Sequence, residues 1–554
     1  MKLSKYILGG IVAAMGLIGT SCVDDLNVKP DDPNTNTEPT SKEDIEGYFA
    51  SVYYDLYTDL GLSLSDGGRG VFTRCHGDLN EITSDELFIS EKWQDPGYQV
   101  LNKNTWSDTN EWIYAAFSRE NHLAKIASTF IQALHQYGPQ WFTADEITAM
   151  DAEARVLRAY AYYQNIDLFG MGPWIDENSV TGATPPTYNR QQLFDAAVAD
   201  LSAYVGNLIP AAQQTYGRIS REAGYMLLAK FYLNAEVYTG KAMYKECADA
   251  LKNVVNSGIQ LAPEYKYLFC ASNDKYVGGT GEIIWGLPQD RNMLTTWGGT
   301  TELTCAAYME ADDAGTGLSR ELLRLNFPGT PWSGLRMRPE LSKALLNEPK
   351  RGLFYAGSYQ IEIPDLTAYS ESSCGYMMTK FSFSTEDDYD NAAKVAAFDE
   401  AAAFNKALDE DKSLSQADRD ALYKPYPTPD VTNQMSAVDY PVFRLADAYL
   451  MLAECQMRGV ECNGNYYFNE VRKRAGMPTI SAPSANDILH ERMVELYGEG
   501  QRRSDLIRFN RYTGSTYLWS WKGGEFTGAP IDAYRAVFPI PYQYEITVGQ
   551  NPGY

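Results

Sequence analysis

The sequence predicts a mainly α-helical chain, a tetratricopeptide-like helical scaffold with a loop-rich insertion carrying short strands. Three observations point there. Long stretches that alternate small and aromatic residues by turns fill both ends of the chain. Gly, Thr, Ser, Asn and Pro dominate from about Tyr265 to Tyr440. Glycines such as Gly170 and Gly258 stand where the periodic stretches stop. With 554 residues, a prior of ~150 residues per domain allows three or four core-sized units. Apolar residues at 44% and charged residues at 21% are ordinary for a globular protein. The balance of 47 basic against 72 acidic side chains, a net −25, argues against binding a phosphate backbone. Aromatics are abundant, with Tyr 40, Phe 21 and Trp 10, supplying many flat apolar faces.

Residues 1–21 have the order of a secretory signal peptide. Lys2 and Lys5 precede an apolar run from Ile7 to Ile18, and small residues Gly19-Thr20-Ser21 follow. The run is shorter than the ~20 apolar residues a spanning helix needs. Cys22 directly after the small residues resembles a bacterial lipoprotein signal, with Cys22 lipidated after cleavage; the mature charge is then about −27. Residues 22–40, rich in Pro, Asn and Asp, read as a flexible tether.

The N-terminal part of the scaffold, 41–264, holds successive helices. Glu43–Leu60 follows a Ser41 cap with Glu43 and Asp44 in its first turn. Thr109–Leu134 and Asp145–Phe169 come next, then Arg190–Leu208. Arg221–Tyr238 and Tyr244–Ser257 have the length and texture of a tetratricopeptide pair. The insertion, 265–440, carries strand-like runs such as Glu282-Ile283-Ile284-Trp285 and one helical stretch, Asn391–Leu408. Helices resume in 441–554 with Val442–Arg458, Gly464–Ala475 and Ala485–Tyr497.

Catalytic and cofactor signatures are missing: no GxxxxGK[ST], GxGxxG or GxSxG occurs. His490-Glu491 lacks the second His of a zincin helix. Asp409-Glu410-Asp411 begins like a calcium loop but has Leu414 where the turn Gly belongs, so a solvated charge run is preferred. No metal, cofactor or catalytic residue is assigned, and the chain leans towards a binding protein rather than an enzyme. The seven cysteines beyond Cys22 are scattered without CxxC spacing; Cys455 and Cys462 could pair or stay reduced.

Several segments converge on a known pattern. Arg155-Val156-Leu157-Arg158-Ala159-Tyr160 leads to Leu168-Phe169-Gly170. Tyr440-Pro441-Val442-Phe443-Arg444-Leu445-Ala446-Asp447-Ala448-Tyr449-Leu450 leads to Ala453-Glu454. Asn469 to Gly476, Glu491-Arg492 with Glu495, Glu499-Gly500, Arg502-Arg503 and Asp505, then Phe538-Pro539-Ile540-Pro541 and the Asn-Pro-Gly-Tyr ending, complete it. In this order, behind a lipoprotein signal, they resemble the SusD/RagB family of outer-membrane nutrient-binding lipoproteins of Bacteroidetes. Asp24-Asp25 after the lipid cysteine is similar to the surface-export tag of such lipoproteins. The residues also have a physical reading: Glu491, Glu495 and Glu499 share one helical face and, with Arg155 and Arg158, suit salt bridges between helices.

The resemblance implies a cell-surface protein, lipid-anchored in the outer membrane, that captures oligosaccharide and passes it to a SusC-like TonB-dependent barrel. It implies no reaction. Starch, an α-glucan, is the leading ligand because the C-terminal part, including Tyr517-Leu518-Trp519-Ser520-Trp521, resembles the starch-binding founding member most, with levan, host glycan and plant polysaccharide left open. A peptide-uptake lid of the RagB type, a surface glycoside hydrolase and a purely structural surface protein are the rival readings. Sugar rings pack C–H faces on aromatic planes while hydroxyls need polar partners. The resemblance implies Arg74, Trp93 and Trp297 as candidate glycan contacts, because their segments resemble those the founding member uses for an arginine contact and aromatic platforms, with Tyr308 and Asp66 as looser additions. Arg74 could equally neutralise Asp78, and Trp93 could be core; Trp112, Trp141 and Trp174 are assigned to the core. The polar region from Asp66 to Trp93 reads as loop.

Overall fold

The computed structural model of the chain describes residues 38–60, 70–91, 95–180, 182–308, 332, 334–356, 359–367, 374–424 and 435–554. Residues 1–37, including the signal segment and Cys22, lie outside them, as do Asp66 and Trp93.

The first helix, Lys42–Tyr54, starts at a capping box in which Ser41 accepts from the Asp44 amide and the Asp44 carboxylate accepts from the Ser41 amide. Asn110 caps Glu111–Tyr137, and a second box of Thr143 with Glu146 opens Ala144–Leu168. Gly170, at φ +72°, turns the chain out of that helix. Arg190–Tyr204, Arg221–Thr239 and Tyr244–Val255 follow, each packed on its predecessor. Buried alanines such as Ala152, Ala154 and Ala159 let these axes approach, and aromatics such as Tyr163, Phe194 and Phe231 fill the next layer. Tyr244–Val255 then packs on Leu445–Met457, so the C-terminal helices Leu445–Met457, Gly464–Arg474 and Ala485–Leu496 continue the stack across the insertion.

Two short antiparallel ladders tie the insertion to this stack. Ile283–Leu287 pairs with Tyr440–Arg444, closing the insertion at its base. Leu87–Ile89 pairs with Leu335–Met337. The seven described cysteines are free thiols, so Cys455 and Cys462 do not pair.

Two local expectations are corrected. Val442 to Arg444 are strand, and the helix begins only at Leu445, because the Tyr-Pro-Val-Phe-Arg run finds a ladder partner in Ile283–Leu287. The Asp66–Trp93 region is not simply loop. It contains the helix Phe72–Glu81 and the strand Leu87–Ile89, almost wholly buried. Thr73, Cys75, His76, Gly77, Asp78 and Asn80 are poor helix formers. Burial against the neighbouring helices, not propensity, holds that helix.

Candidate functional site

The segment that follows the Ile283–Leu287 strand presents an exposed tryptophan, Trp297. Pro288 has no N–H and ends the ladder. The Asp290 carboxylate then accepts from the amides of Asn292, Met293 and Leu294 at 2.9, 2.8 and 2.9 Å, which rigidifies the turn. Those amide bonds hold the Asp290 carboxyl below its ordinary pKa. Gly298 comes so close to Val71 and Arg74 that a Cβ there would sit 2.8 Å from Val71 Cγ1 and 3.0 Å from Arg74 Cβ. Gly299, at φ +57°, opens the buried helix Gly299–Ala307. Anchored by these contacts on one side and the turn on the other, Trp297 is left 40% exposed, more than any other tryptophan among the described residues.

Trp297 does not stand alone. Its ring centroid lies 5.9 Å from that of Trp332, with the planes inclined at 41°. Trp332 is half-buried against the core, and its amide donates to the Cys305 carbonyl at 2.7 Å, which fixes it to the far end of Gly299–Ala307. The two indoles form a fixed corner with one exposed wall.

Arg74 lies directly beneath this corner but points inward. It is 3% exposed. Nη2 donates to Asp95 Oδ2 at 3.2 Å, Nε lies 3.9 Å from Asp78 Oδ2, and the guanidinium sits 5.1 Å over the Trp112 ring. Its charge is therefore held by two carboxylates and an aromatic face. Tyr308 is wholly buried and its hydroxyl donates to the Phe381 carbonyl at 3.1 Å. A ring in the core presents no surface to a ligand, so the looser expectation for Tyr308 is corrected: it is packing at the end of Gly299–Ala307. Trp112 is buried, and Trp141 and Trp174 pack half-buried on the core, as expected of them. Among the described residues no group of three His, Cys, Asp or Glu side chains is arranged to hold a metal.

The SusD family model matches residues 424–554. The starch-binding protein SusD of Bacteroides thetaiotaomicron is 28% identical over an alignment that covers 100% of both chains. The chain is thus similar from end to end to a SusD protein, and its residues 424–554 match the SusD family model. A SusD-like protein of Bacteroides ovatus is 23% identical, over 94% of this chain and 86% of its own. Among solved structures, surface glycan-binding protein A from Bacteroides thetaiotaomicron, in complex with laminarihexaose, superposes with TM-score 0.66 at 18% identity, covering 92% of this chain and 100% of that one. A laminarin-binding SusD-like protein gives 0.65 at 19% identity, covering 93% and 100%. At such identities the two structures establish the common fold.

The segments that carry the resemblance to the SusD family are scaffold. Glu495, fully buried, takes Arg444 Nη1 at 2.7 Å and Arg351 Nη1 at 3.1 Å and also pairs with Arg474. Burial pushes its carboxyl up, but Arg474, Arg444 and Arg351 together outweigh it and hold the pKa at about 2. Glu499 accepts from Lys380 at 2.6 Å and Arg444 at 2.7 Å, and Glu491 bridges Arg351 and Arg472. Burial drives the Lys380 ammonium down to about 8 against the pull of Glu499. Arg155 and Arg158 jointly clamp Glu177 and Asp200 at 2.6 to 2.8 Å. Asp85 takes both Nε and Nη2 of Arg502, at 2.7 and 2.9 Å, joining the buried N-terminal segment to the C-terminal helices.

Of the candidate contacts, the structure thus leaves Trp297 at the surface and places Arg74 below it. Trp332 was missed by sequence reasoning. A signal was present: Pro331-Trp332-Ser333-Gly334 has the same punctuated loop texture as Trp297-Gly298-Gly299.

Proposed function

We propose that this SusD-like protein is a cell-surface oligosaccharide-binding lipoprotein. It is anchored in the outer membrane by lipid on Cys22, reaches out on the 22–40 tether, and delivers captured glycan to a SusC-like TonB-dependent barrel. It does so without covalent chemistry. The observation that carries this reading is the Trp297–Trp332 corner, a rigid indole face left in water on a loop whose backbone is fixed at both ends. An exposed tryptophan held in one orientation suits a sugar ring, because little side-chain entropy remains to be lost on stacking. Polar groups for the sugar hydroxyls are close by, Asp95 with its partly exposed carboxylate first among them. An α-glucan of the starch type is the leading ligand, supported by end-to-end similarity to a starch-binding relative.

Affinity electrophoresis tests this reading. The protein is run through gels containing starch, laminarin, levan, xylan or mannan, beside Trp297→Ala. Retardation in starch that is lost in the variant is the expected result. Retardation in another gel moves the ligand and keeps the function. No retardation in any gel overturns the glycan reading and points to peptides.

A further inference from the structure

A second exposed aromatic group is tied to the start of the same loop. Tyr216 is 50% exposed, yet its hydroxyl donates to Oδ2 of Asp439, a carboxylate that is 1% exposed. The other Asp439 oxygen accepts from the Gln289 amide at 2.9 Å. The Gln289 side chain in turn accepts from Thr300 Oγ1 at 2.9 Å, at the start of the helix that Trp297 precedes. Tyr216 is therefore linked to the base of the 288–298 loop by a short chain of hydrogen bonds. Its neighbour Gly217 packs so tightly on Pro288 that a Cβ would lie 2.8 Å from the Pro288 ring. The Tyr57 hydroxyl is close enough to Asp439 and Tyr216 to interact with both electrostatically. Tyr54, 49% exposed, stacks on Tyr57 at 6.4 Å and 23°. Along the chain, the turn held by Asp290, with Met293 80% exposed, joins Pro288, on which Gly217 packs, to Trp297.

The Tyr216 hydroxyl gives the buried Asp439 carboxylate a partner, and the same bond holds the half-exposed ring in one orientation. Orienting a solvent-facing ring is what the arrangement achieves, and an oriented ring is what a stacking ligand requires. We propose that Tyr216, backed by Tyr54, is a second, distal stacking site, and that the ligand is an oligosaccharide chain long enough to cross the 288–298 loop and touch both aromatic surfaces. This inference rests on the glycan reading above and adds to it a preference for long chains.

The test is calorimetric titration of the mature protein with maltotriose and maltoheptaose, and with laminaritriose and laminarihexaose as a parallel pair. Wild type is expected to bind the long member more tightly. Tyr216→Ala should weaken the long member about tenfold, the size of one aromatic contact, and leave the short member within about twofold. Tyr216→Phe keeps the ring and should retain most of the long-chain affinity. Tyr54→Ala, which removes no partner from a buried carboxylate, guards against a folding defect and should also weaken only the long member. Trp297→Ala should weaken both lengths. If the wild type binds without regard to length, or if Tyr216→Ala and Tyr54→Ala are silent or weaken both lengths equally, the distal site is overturned and the glycan reading stands. If the wild type binds none of the four, the glycan reading itself falls and takes the distal site with it.

Discussion

The rings of Trp297 and Trp332 stand 5.9 Å apart and inclined at 41°, Trp297 just before the buried helix Gly299–Ala307 and Trp332 bonded through its amide to the Cys305 carbonyl near the helix end. Neither indole can turn without disturbing its neighbour. If the corner is the sugar platform, the two residues act together rather than as two independent contacts. Trp297→Ala is expected to lower glycan affinity at least tenfold while costing less stability than loss of the more deeply packed Trp332, since the Trp297 ring is 40% exposed. Trp332→Ala should lower affinity similarly but also stability, because its ring packs on the core. The double variant should cost less than the two single losses combined. Titration of all three beside thermal melts measures both effects.

Arg74 bears its load through folding. Its guanidinium faces Asp95 and Asp78 under the Trp297 loop, and it is almost wholly buried. Arg74→Ala takes this cation from the buried Asp78 carboxylate as well as from the partly exposed Asp95, a change expected to cost about 3 kcal/mol. Denaturant unfolding should show that loss with or without glycan. Arg74→Lys should recover part of it, since the charge returns but the planar contact over Trp112 does not. A variant that folds with wild-type stability and yet binds nothing would make Arg74 a ligand contact after all.

What sequence could and could not disclose follows from the range over which each signal acts. Helix starts were legible where the signal is local: Ser41 before Lys42–Tyr54, and the glycine stops at Gly170 and Gly258. Glu491 and Glu495 share a charged helical face as their spacing announces, but the helix ends at Leu496 and Glu499, expected on the same face, lies beyond it. Their partners Arg351, Arg444 and Arg474 come from three separate segments, and no local pattern joins them. The Phe72–Glu81 helix was read as loop because its residues disfavour helix in isolation, and burial decided otherwise. Trp297 was legible as an aromatic before two glycines. Its pairing with Trp332 is a tertiary fact, set by the helix between them.

Gly298 offers a way to move the platform without touching it. Its backbone, at φ −98°, is ordinary for any residue, so only space forbids a side chain. Gly298→Ala would press a methyl group against Val71 and Arg74. Overpacking of this kind costs about 1–3 kcal/mol, unless the loop lifts away. Lifting tilts Trp297 off Trp332. The variant is therefore expected either to melt earlier or to bind glycan more weakly, with Trp297 fluorescence shifted to the red as its ring gains water. Unchanged melting, affinity and emission together would show that the loop is not held where Gly298 meets the Phe72–Glu81 helix.

The buried carboxylate network sets the response to acid. Glu495 titrates at about 2 in the folded chain against an ordinary value of 4.5. A lowered folded-state pKa means the unfolded chain binds the proton first. The stability Glu495 contributes is then complete above pH 4.5 and drains away as the pH falls from 4.5 to 2. The shift corresponds to about 3 kcal/mol. Glu177, also near 2 beside Arg158 and Arg155, acts in the same direction but is partly exposed and weaker. Glu120 and Glu86 oppose them, since burial raises their carboxyls and acid favours their folded forms. The raw stability curve therefore mixes both signs. The difference between wild type and Glu495→Gln isolates one. The variant should be less stable at pH 7, where Arg444, Arg351 and Arg474 lose a shared counter-charge, and the gap should narrow steadily below pH 4.5. Urea unfolding at pH 7, 4.5 and 3 measures it; a gap that stays constant would mean that Glu495 acts by packing and not by charge.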